Sequence, residues 1–502
     1  MRLIDLLIKS AADLPKAIAA KKNGSEISYR YMLSAVRKLS KSLRETDSAK
    51  GIKIGIVLDN SIEYLISFFA VSSAWDVTVP LSGKMTGWEL AKLIKKADVS
   101  TVITNRKFGD KISKNTGLSR RLNFLYIHYD KDNFLEIDTR INRRSKTNQK
   151  NAGIALMVPT SGTTGEPKIV MLTDHQLISN MAVYRLVMDF QRPNTVYCTL
   201  SFHHIYCICA QILTHISLAD TLVISDKPFF AKDFLASVQE HKVNVTSFVP
   251  YMAIRLAEYL EPKQFELKSL KYVTLSGAKT PVSILRVLKQ KFPDTHFINT
   301  YGMSEAGSRI AIAAPLAKTY PLDSVGMPMP GVEVTITDDE GSPLPPNISG
   351  EITVKSSSVT KGYYKQPELT RKTLTYDWLK TGDIGKLDEK GNLYILGRKK
   401  NLIVTGGYNV SPVEIEHCLL EHPAIKEAAV VGKKDNLMQE VPCAFLVKVN
   451  PEENINPSQI IKFCRKRLSS YKIPRYILFI EKMPKLNSSK INRNKLKKLL
   501  KS

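Results

Sequence analysis

Through the first three hundred residues, short runs of β-branched and apolar residues alternate with longer segments whose apolar positions recur every three or four residues. "GIKIGIVL", "DVTVPL", "STVIT", "TLVIS", "NVTSFVP" and "YVTLSG" have the texture of buried strands. "SYRYMLSAVRKLSKSL", "AKDFLASVQEH", "YMAIRLAEYL" and "SILRVLKQKF" have that of helices with one apolar face. Such alternation predicts largely parallel sheets covered by helices, an α/β class. From about Gly331 the pattern changes to short strands separated by turn residues, in "VEVTITDDEGSPLPP", "GEITVKS" and "WLKTGDIGKLDEKGNLYILGR", which predicts an antiparallel β unit. After Arg398 an α+β texture begins. There Ser411, Pro412 and Glu414 predict an N-cap, a first-turn proline and a capping-box carboxylate opening the helix "VEIEHCLLEH". The domain boundary is therefore placed inside "GRKKN", dividing residues 1–397 from a C-terminal piece, residues 398–502.

Composition narrows the class without naming a function. A chain of 502 residues exceeds one ordinary core, and an apolar fraction of 43% suits a globular protein rather than a disordered one. "MRLIDLLIKSAADLP" is interrupted by Asp5 and Lys9, and the apolar tract from Val196 to Ser225 carries His203, His204, His215 and Asp220. Neither reads as a signal peptide or a membrane span, so a cytoplasmic protein is the expectation. The six cysteines lack disulfide spacing, and Cys207 and Cys209 have no second cluster to complete a tetrahedral metal site. The 73 Lys and Arg against 47 Asp and Glu, a formal charge of +26, favour acidic partners such as nucleotides or an acidic carrier protein. The basic runs "INRRSKTNQK", "FCRKRL" and "NRNKLKKLLKS" lack interleaved aromatics, which argues against nucleic acid.

Four short motifs carry the chemistry. After the strand-like "GIALMV", the run Thr160, Ser161, Gly162, Thr163, Thr164 and Gly165 offers peptide N–H groups and hydroxyls to phosphate oxygens, and Lys168 adds a point charge. Its spacing is not that of the common P-loop. "INTYGMSEAG" sets Asn299, Tyr301, Ser304 and Glu305 at the end of a strand-like run. Their amide, aromatic face, hydroxyl and carboxylate are the parts that stack a base, touch a phosphate and hold a metal. "LKTGDIGKLDEKGNLYILGRKKNLI" predicts Asp383 and Arg398 on either side of a hairpin, and "PKLNSSKINRNKL" presents Lys490 after a proline-led turn.

In this order and at these separations the motifs resemble the adenylate-forming superfamily of acyl- and aryl-CoA synthetases, adenylation domains and luciferases. The likeness spans essentially the whole chain and takes in "SFHHIYC", "LSGAKTP" and "SVGMPMPG". The resemblance implies a large N-terminal domain with two α/β sheet subdomains and a small β-barrel unit, followed by a mobile α+β lid. It also implies conversion of a carboxylic acid and MgATP to an acyl-adenylate with release of pyrophosphate, then transfer to a thiol. By motif position, the loop from Thr160 to Lys168 holds the β- and γ-phosphates, and Tyr301 with the Gly277–Ala278 turn sandwiches adenine, with Asn299 at its amine. Ser304 reaches the α-phosphate, Glu305 binds Mg²⁺, and Asp383 accepts the ribose diol with Arg398 assisting. Lys490 bridges the acid and the α-phosphate, stabilising charge that shifts as the bond forms. His204 shields the carboxylate site. Lys400 is the hinge about which the lid exchanges Lys490 for the loop at Gly406 and Gly407, where a pantetheine arm enters.

Against that family pattern, Ser489 stands where a glycine is common, Lys279 and Thr280 intervene after the adenine-side turn, and Thr300 replaces a frequent glycine on the acyl-pocket floor, narrowing it. No aspartate in "SFHHIYCICA" is available to pair with an ammonium, which disfavours an α-amino acid. An apolar fatty or aryl acid is expected, lined by Tyr206, Ile208, Thr300 and Met303. The acceptor is expected in trans, as CoA or the phosphopantetheine of an acidic acyl carrier protein. A non-catalytic nucleotide or acyl-adenylate binder is the alternative of a different class.

Overall fold

The β-branched runs become the centres of two mixed sheets. The computed structural model describes residues 1–47, 50–116, 121–129, 135–142, 153–160, 167–190, 192–259, 264–314, 320–405, 408–435, 438–486 and 491–500. One sheet has seven strands, in the order Leu135–Arg140, Asn123–Tyr129, Thr101–Thr104, Lys53–Leu58, Val77–Ser82, Ile154–Thr160 and Lys168–Thr173. Its five inner strands are parallel and its two edge pairings antiparallel. Lys53–Leu58 and Val77–Ser82 are buried along their whole length, as strands covered on both faces must be. The second sheet has nine strands. At its centre His296–Tyr301, Tyr272–Leu275, Val245–Phe248, Thr195–Cys198, Thr221–Ile224 and Ile18–Lys22 run parallel.

A single large core joins the two sheets. The helix Ile62–Ser73 is apolar almost all round, with Tyr64, Leu65, Phe68 and Phe69 fully buried, because it is enclosed rather than laid on a surface. The apolar tract beginning at Val196 is two strands and a helical stretch. Its polar members are paired inside: His215 Nδ1 lies 2.8 Å from Asp220 Oδ2, and Asp220 accepts the Asn194 N–H at 2.9 Å. Among the described residues, no helix is long and apolar enough to cross a membrane.

The small β unit is antiparallel and five-stranded, built from Val332–Thr337, Gly350–Ser356, Leu374–Thr375, Trp378–Leu387 and Leu393–Arg398. Ile336, Ile352, Val354, Leu379 and Leu393 share a core with Tyr301 and Ile310, so this unit packs on the end of the nine-stranded sheet. Beyond Lys400 a fourth sheet, centred on Ile425–Asp435 and Gln439–Lys448, has two cores of its own. Lys399 forms ion pairs with Asp339 at 2.8 Å and Glu351 at 2.9 Å, anchoring the chain just ahead of that passage. The helix Pro412–Leu420 starts after Ser411 as expected, but the capping box does not form. The Ser411 hydroxyl donates to the Leu396 carbonyl, and Glu414 pairs with Lys472 at 2.6 Å. Tertiary partners have taken both groups, and they tie the helix to its neighbours instead.

Glu416, on the same helix, is buried. It accepts both Arg493 Nη1 and Nη2, at 2.6 and 2.8 Å, and the Val430 N–H at 2.6 Å, fixing the last helix to the fourth sheet. Glu416→Gln leaves the guanidinium without its counter-charge and is expected to destabilise this unit by about 3 kcal/mol. Hydrogen exchange should accelerate at the Val430 amide while the strands Lys53–Leu58 and Val77–Ser82 stay protected; unaltered exchange at Val430 would count against the lock.

Candidate active site

Parallel strands deliver their carboxyl ends to one edge of the sheet, where ligands of open α/β sheets bind. In the nine-stranded sheet those ends lead into residues 199–204, Val249, the Ser276–Lys279 turn and residues 302–304. Gly277 has φ +88°, a left-handed conformation open to glycine, and it and Ala278 are exposed beside the buried strand end. Asn299 uses its Nδ2 to hold the Leu322 and Ser324 carbonyls, both at 3.1 Å, leaving Oδ1 as the remaining acceptor of its amide.

Tyr301, Asp383 and Arg398 converge. Asp383 and Arg398 face each other across the predicted hairpin, and Arg398 Nε lies 2.7 Å from Asp383 Oδ1. The Tyr301 hydroxyl donates to Asp383 Oδ2 at 2.7 Å. Burial, with the Asp383 charge and hydrogen bond added, raises the Tyr301 phenol well above its ordinary pKa, so it stays a donor.

A second cluster lies where the seven-stranded sheet meets this edge. Thr160 and Lys168 are cross-strand partners, so the phosphate-loop residues between them connect an antiparallel hairpin rather than a strand and a helix. Residues 360–364 pair with the outer strand of that hairpin: Met171 N–H donates to Gly362 O at 3.0 Å and Tyr364 N–H to Ile169 O at 2.9 Å. That pairing brings Tyr363 under Lys168, whose Nζ is 5.1 Å from the ring centroid, while the Tyr363 hydroxyl donates to Glu305 Oε1 at 2.9 Å. Burial and the Glu305 charge push the Tyr363 phenol far up. Glu305 sits in a short 3₁₀ turn, Ser304–Ala306, which leaves Ser304 half-buried at the mouth.

The segment "SFHHIYC", expected on the acyl side, follows the strand Thr195–Cys198. His204 is exposed at the start of the helical stretch, its ring 4.2 Å from that of His203. Burial, with His204 and Lys84 beside it, holds the His203 imidazole well below its usual pKa. The helix then passes through a π-helical segment, Ile208–Leu213. Tyr206 Oη and Thr274 Oγ1 are 2.8 Å apart, and Thr274 Oγ1 is also 2.8 Å from Ser247 Oγ. Ile208 is fully buried in the main core, Thr300 gives its hydroxyl to Leu275 O at 3.2 Å, and Met303 packs against the β-unit core. Beneath Tyr206 lies Arg309, the largest fully buried side chain of the described residues. Ser161, Gly162, Thr163, Thr164, Gly165, Gly406, Gly407 and Lys490, with the Lys400 side chain, lie outside the described residues.

The structure thus brings together Thr160, Lys168, Tyr301, Ser304, Glu305, Asp383 and Arg398. It adds Tyr363 and Arg309, which no sequence motif marked. "KGYYK" carries no spacing that points to Glu305, and Arg309 was visible only as a charge inside the apolar run "SRIAIAAP". A cleft of about 450 Å³ lies elsewhere, beside the Ser276–Lys279 turn, lined by Lys279, Asp323, Tyr394 and His417.

Comparison with known proteins identifies the family. Residues 7–364 match the AMP-binding enzyme family, and residues 414–490 match the AMP-binding enzyme C-terminal domain. The chain is 32% identical to the 4-coumarate–CoA ligase of Vanilla planifolia, over 92% of this chain and 86% of that one. It is 28% identical to the 2-succinylbenzoate–CoA ligase of Bacillus cytotoxicus over 98% of each. Among solved structures, the O-succinylbenzoate coenzyme A synthetase of Bacillus subtilis in complex with AMP superposes with a TM-score of 0.84, at 26% identity and 98% coverage of each chain.

One glycine is decisive for the site's shape. A Cβ on Gly302 would fall 1.6 Å from the Ser308 carbonyl oxygen and 2.8 Å from the Arg309 Cα, both backbone atoms that cannot swing aside. Gly302→Ala is therefore expected to cost about 3 kcal/mol or more in urea unfolding and to weaken AMP binding at least tenfold. Wild-type stability together with wild-type AMP affinity would show that the turn tolerates the methyl.

Proposed function

The chain belongs to the AMP-binding enzyme family, and from that premise we propose that it is an AMP-forming acid–thiol ligase using ATP and CoA. The observation that carries the reading is the convergence of Lys168, Tyr363, Glu305, Tyr301, Asp383 and Arg398 from four separate chain segments on one sheet edge. In the first step a carboxylate oxygen of the acid bonds to the α-phosphorus of ATP as the bond to the bridging oxygen breaks, and pyrophosphate leaves. In the second, the CoA thiolate bonds to the acyl carbon and AMP leaves with the electrons of the broken C–O bond. CoA is favoured over a carrier protein because the relatives are CoA ligases.

Each residue is assigned its task by its position in the family's motifs. Lys168 and the loop beginning at Thr160 grip the departing pyrophosphate. Asp383, held between a phenol and a guanidinium, accepts the ribose diol, and Tyr301 with Gly277 and Ala278 encloses adenine near Asn299. Ser304 donates to the α-phosphate, and Lys490 follows the charge from acid to α-phosphate. His204 closes the acid site. Mg²⁺ fits a site with one carboxylate, Glu305, since this ion is commonly held by one or two carboxylates plus substrate phosphates. When bound it neutralises charge on the phosphate oxygens. The Tyr363 hydroxyl occupies Glu305 Oε1, and Glu305 would hold the ion through its remaining acceptor capacity. A lid of residues 398–502 turning at Lys400, with Gly406 and Gly407 beside the thiol arm, completes the cycle.

Acid-dependent exchange of labelled pyrophosphate into ATP tests the reading, with 4-coumarate, 2-succinylbenzoate and straight-chain fatty acids as the first panel. Folded protein that exchanges with no acid but still binds AMP would favour the non-catalytic binder. Lys490→Ala should lower adenylation by about 10²–10³-fold while sparing thioester formation from supplied acyl-adenylate. Tyr363→Phe removes one charge-assisted hydrogen bond and should reduce adenylation about tenfold, relieved in part by raised Mg²⁺. An equal loss in both half-reactions would refute either role.

A further inference from the structure

The acid site contains a residue that an apolar substrate leaves unexplained. Arg309 is 1% exposed, and its Nε, Nη1 and Nη2 have no hydrogen-bond partner among the described residues. Its guanidinium carbon is 3.5 Å from the Tyr184 ring centroid and 5.4 Å from that of Tyr206. Aromatic faces attract a cation, but they satisfy none of the five N–H donors that project in the plane of the fork. The Tyr184 hydroxyl is likewise buried without a hydrogen-bond partner. Burial pushes that phenol up to about 12, although the neighbouring Arg309 charge opposes the shift, so it stays protonated beside the fork.

The fork is held, not loose. Asn180 grips the Arg309 backbone on both sides, accepting its N–H at 3.3 Å and donating to its carbonyl at 2.8 Å. The preceding residue, Ser308, has φ +113°, a costly conformation for a residue with a side chain and one kept only where the surroundings impose it. The position is also informative. Arg309 follows the Ser304–Ala306 turn by three residues, and four residues of chain place its Cα within about 14 Å of that of Glu305. Tyr206, expected to line the acid pocket, stands across from it.

We propose that Arg309 binds a second carboxylate on the acid substrate. The activated acid is then a short diacid: one carboxylate is adenylated near Ser304, and the distal one, which takes no part in bond making, is received by the Arg309 fork with help from the Tyr184 hydroxyl. This rests on the ligase reading above and deepens it. It replaces the expectation of a wholly apolar acid, because an alkyl or aryl end would bury the guanidinium still unpaired. Long-chain acids are disfavoured for the same reason.

Matched acids test the proposal without any variant. Pyrophosphate exchange is measured with hexanoate against adipate, and with phenylpropanoate against its ortho-carboxylated counterpart. The wild-type enzyme is expected to favour the diacid of at least one pair by about 10³-fold in kcat/KM. Arg309→Met, which conserves volume, should abolish that preference and raise monoacid turnover, and Arg309→Lys should keep part of it. Thermal stabilisation by adipate or the aryl diacid alone, present in the wild type and absent in Arg309→Met, is the readout independent of turnover. If exchange proceeds but the monoacids equal or outdo the diacids, the ligase stands and the proposal falls. It falls equally if Arg309→Met lowers Tm and leaves the diacid to monoacid ratio unchanged, the behaviour of a merely structural cation. Exchange with neither class removes the ligase reading itself.

Discussion

Asp383 is a buried carboxylate shared between a phenol of one sheet and a guanidinium of another strand, and the nucleotide half of the site depends on that sharing. Tyr301 ends the last parallel strand of the nine-stranded sheet, whereas Asp383 and Arg398 belong to the small antiparallel unit. The Tyr301–Asp383 hydrogen bond at 2.7 Å therefore joins two layers that differ in strand direction, and the Asp383–Arg398 pair braces it from within the small unit. A carboxylate taken from water needs such partners to remain charged, and Arg398, half exposed, supplies the compensating charge from the solvent side. The arrangement keeps an acceptor with fixed orientation at the sheet edge before any ligand arrives, which is the form of preorganisation that electrostatic recognition requires.

The phosphate grip obeys the same economy of fixed geometry but uses no helix. A P-loop adds the partial positive charge of a helix N-terminus to its peptide N–H groups. Here the strands Ile154–Thr160 and Lys168–Thr173 are antiparallel partners, so no helix N-terminus follows Thr160 among the described residues and Lys168 supplies positive charge at the start of the second strand. The segment 360–364 then pairs on the outer strand and adds a phenol, Tyr363, that links Lys168 to Glu305. The Lys168 ammonium and the Glu305 carboxylate are thereby spaced by a rigid aromatic ring rather than by a flexible chain. This suits a reaction that cuts at the α-phosphate and needs the β- and γ-phosphates held as one leaving group.

Most of the fold was legible because parallel strands covered on both faces are unbroken apolar runs, and the helices between them show a clear period. The chemistry was legible where it sits at strand ends in short motifs, as with Tyr301 to Glu305. It was hidden where a contact spans the chain: Tyr363 meets Glu305 across 58 residues, and no local pattern encodes that meeting. Ser411 and Glu414 failed as a capping box for a related reason. Their local potential was real, but Leu396 and Lys472 offered competing partners that only the folded chain reveals. Arg309 was overlooked because a single charge in an apolar run reads as a surface residue until burial is known.

Burial also separates two kinds of positive charge that composition counts alike. The excess of +26 is carried in good part by exposed side chains such as Lys9 and Lys41, whose side chains are 76% and 80% exposed. Their field is screened over about 8 Å at physiological ionic strength, so it can raise the encounter rate of a polyanion such as CoA but cannot choose among acids inside the pocket. Arg309 contributes one charge of the same sign with no solvent to screen it and no carboxylate of the chain paired with it among the described residues. Its interaction with an arriving anion is strengthened by the low-dielectric surroundings, and its cost when left unpaired is raised by them equally. The proposed selectivity for the acid therefore rests on this one desolvated fork and not on the surface lysines.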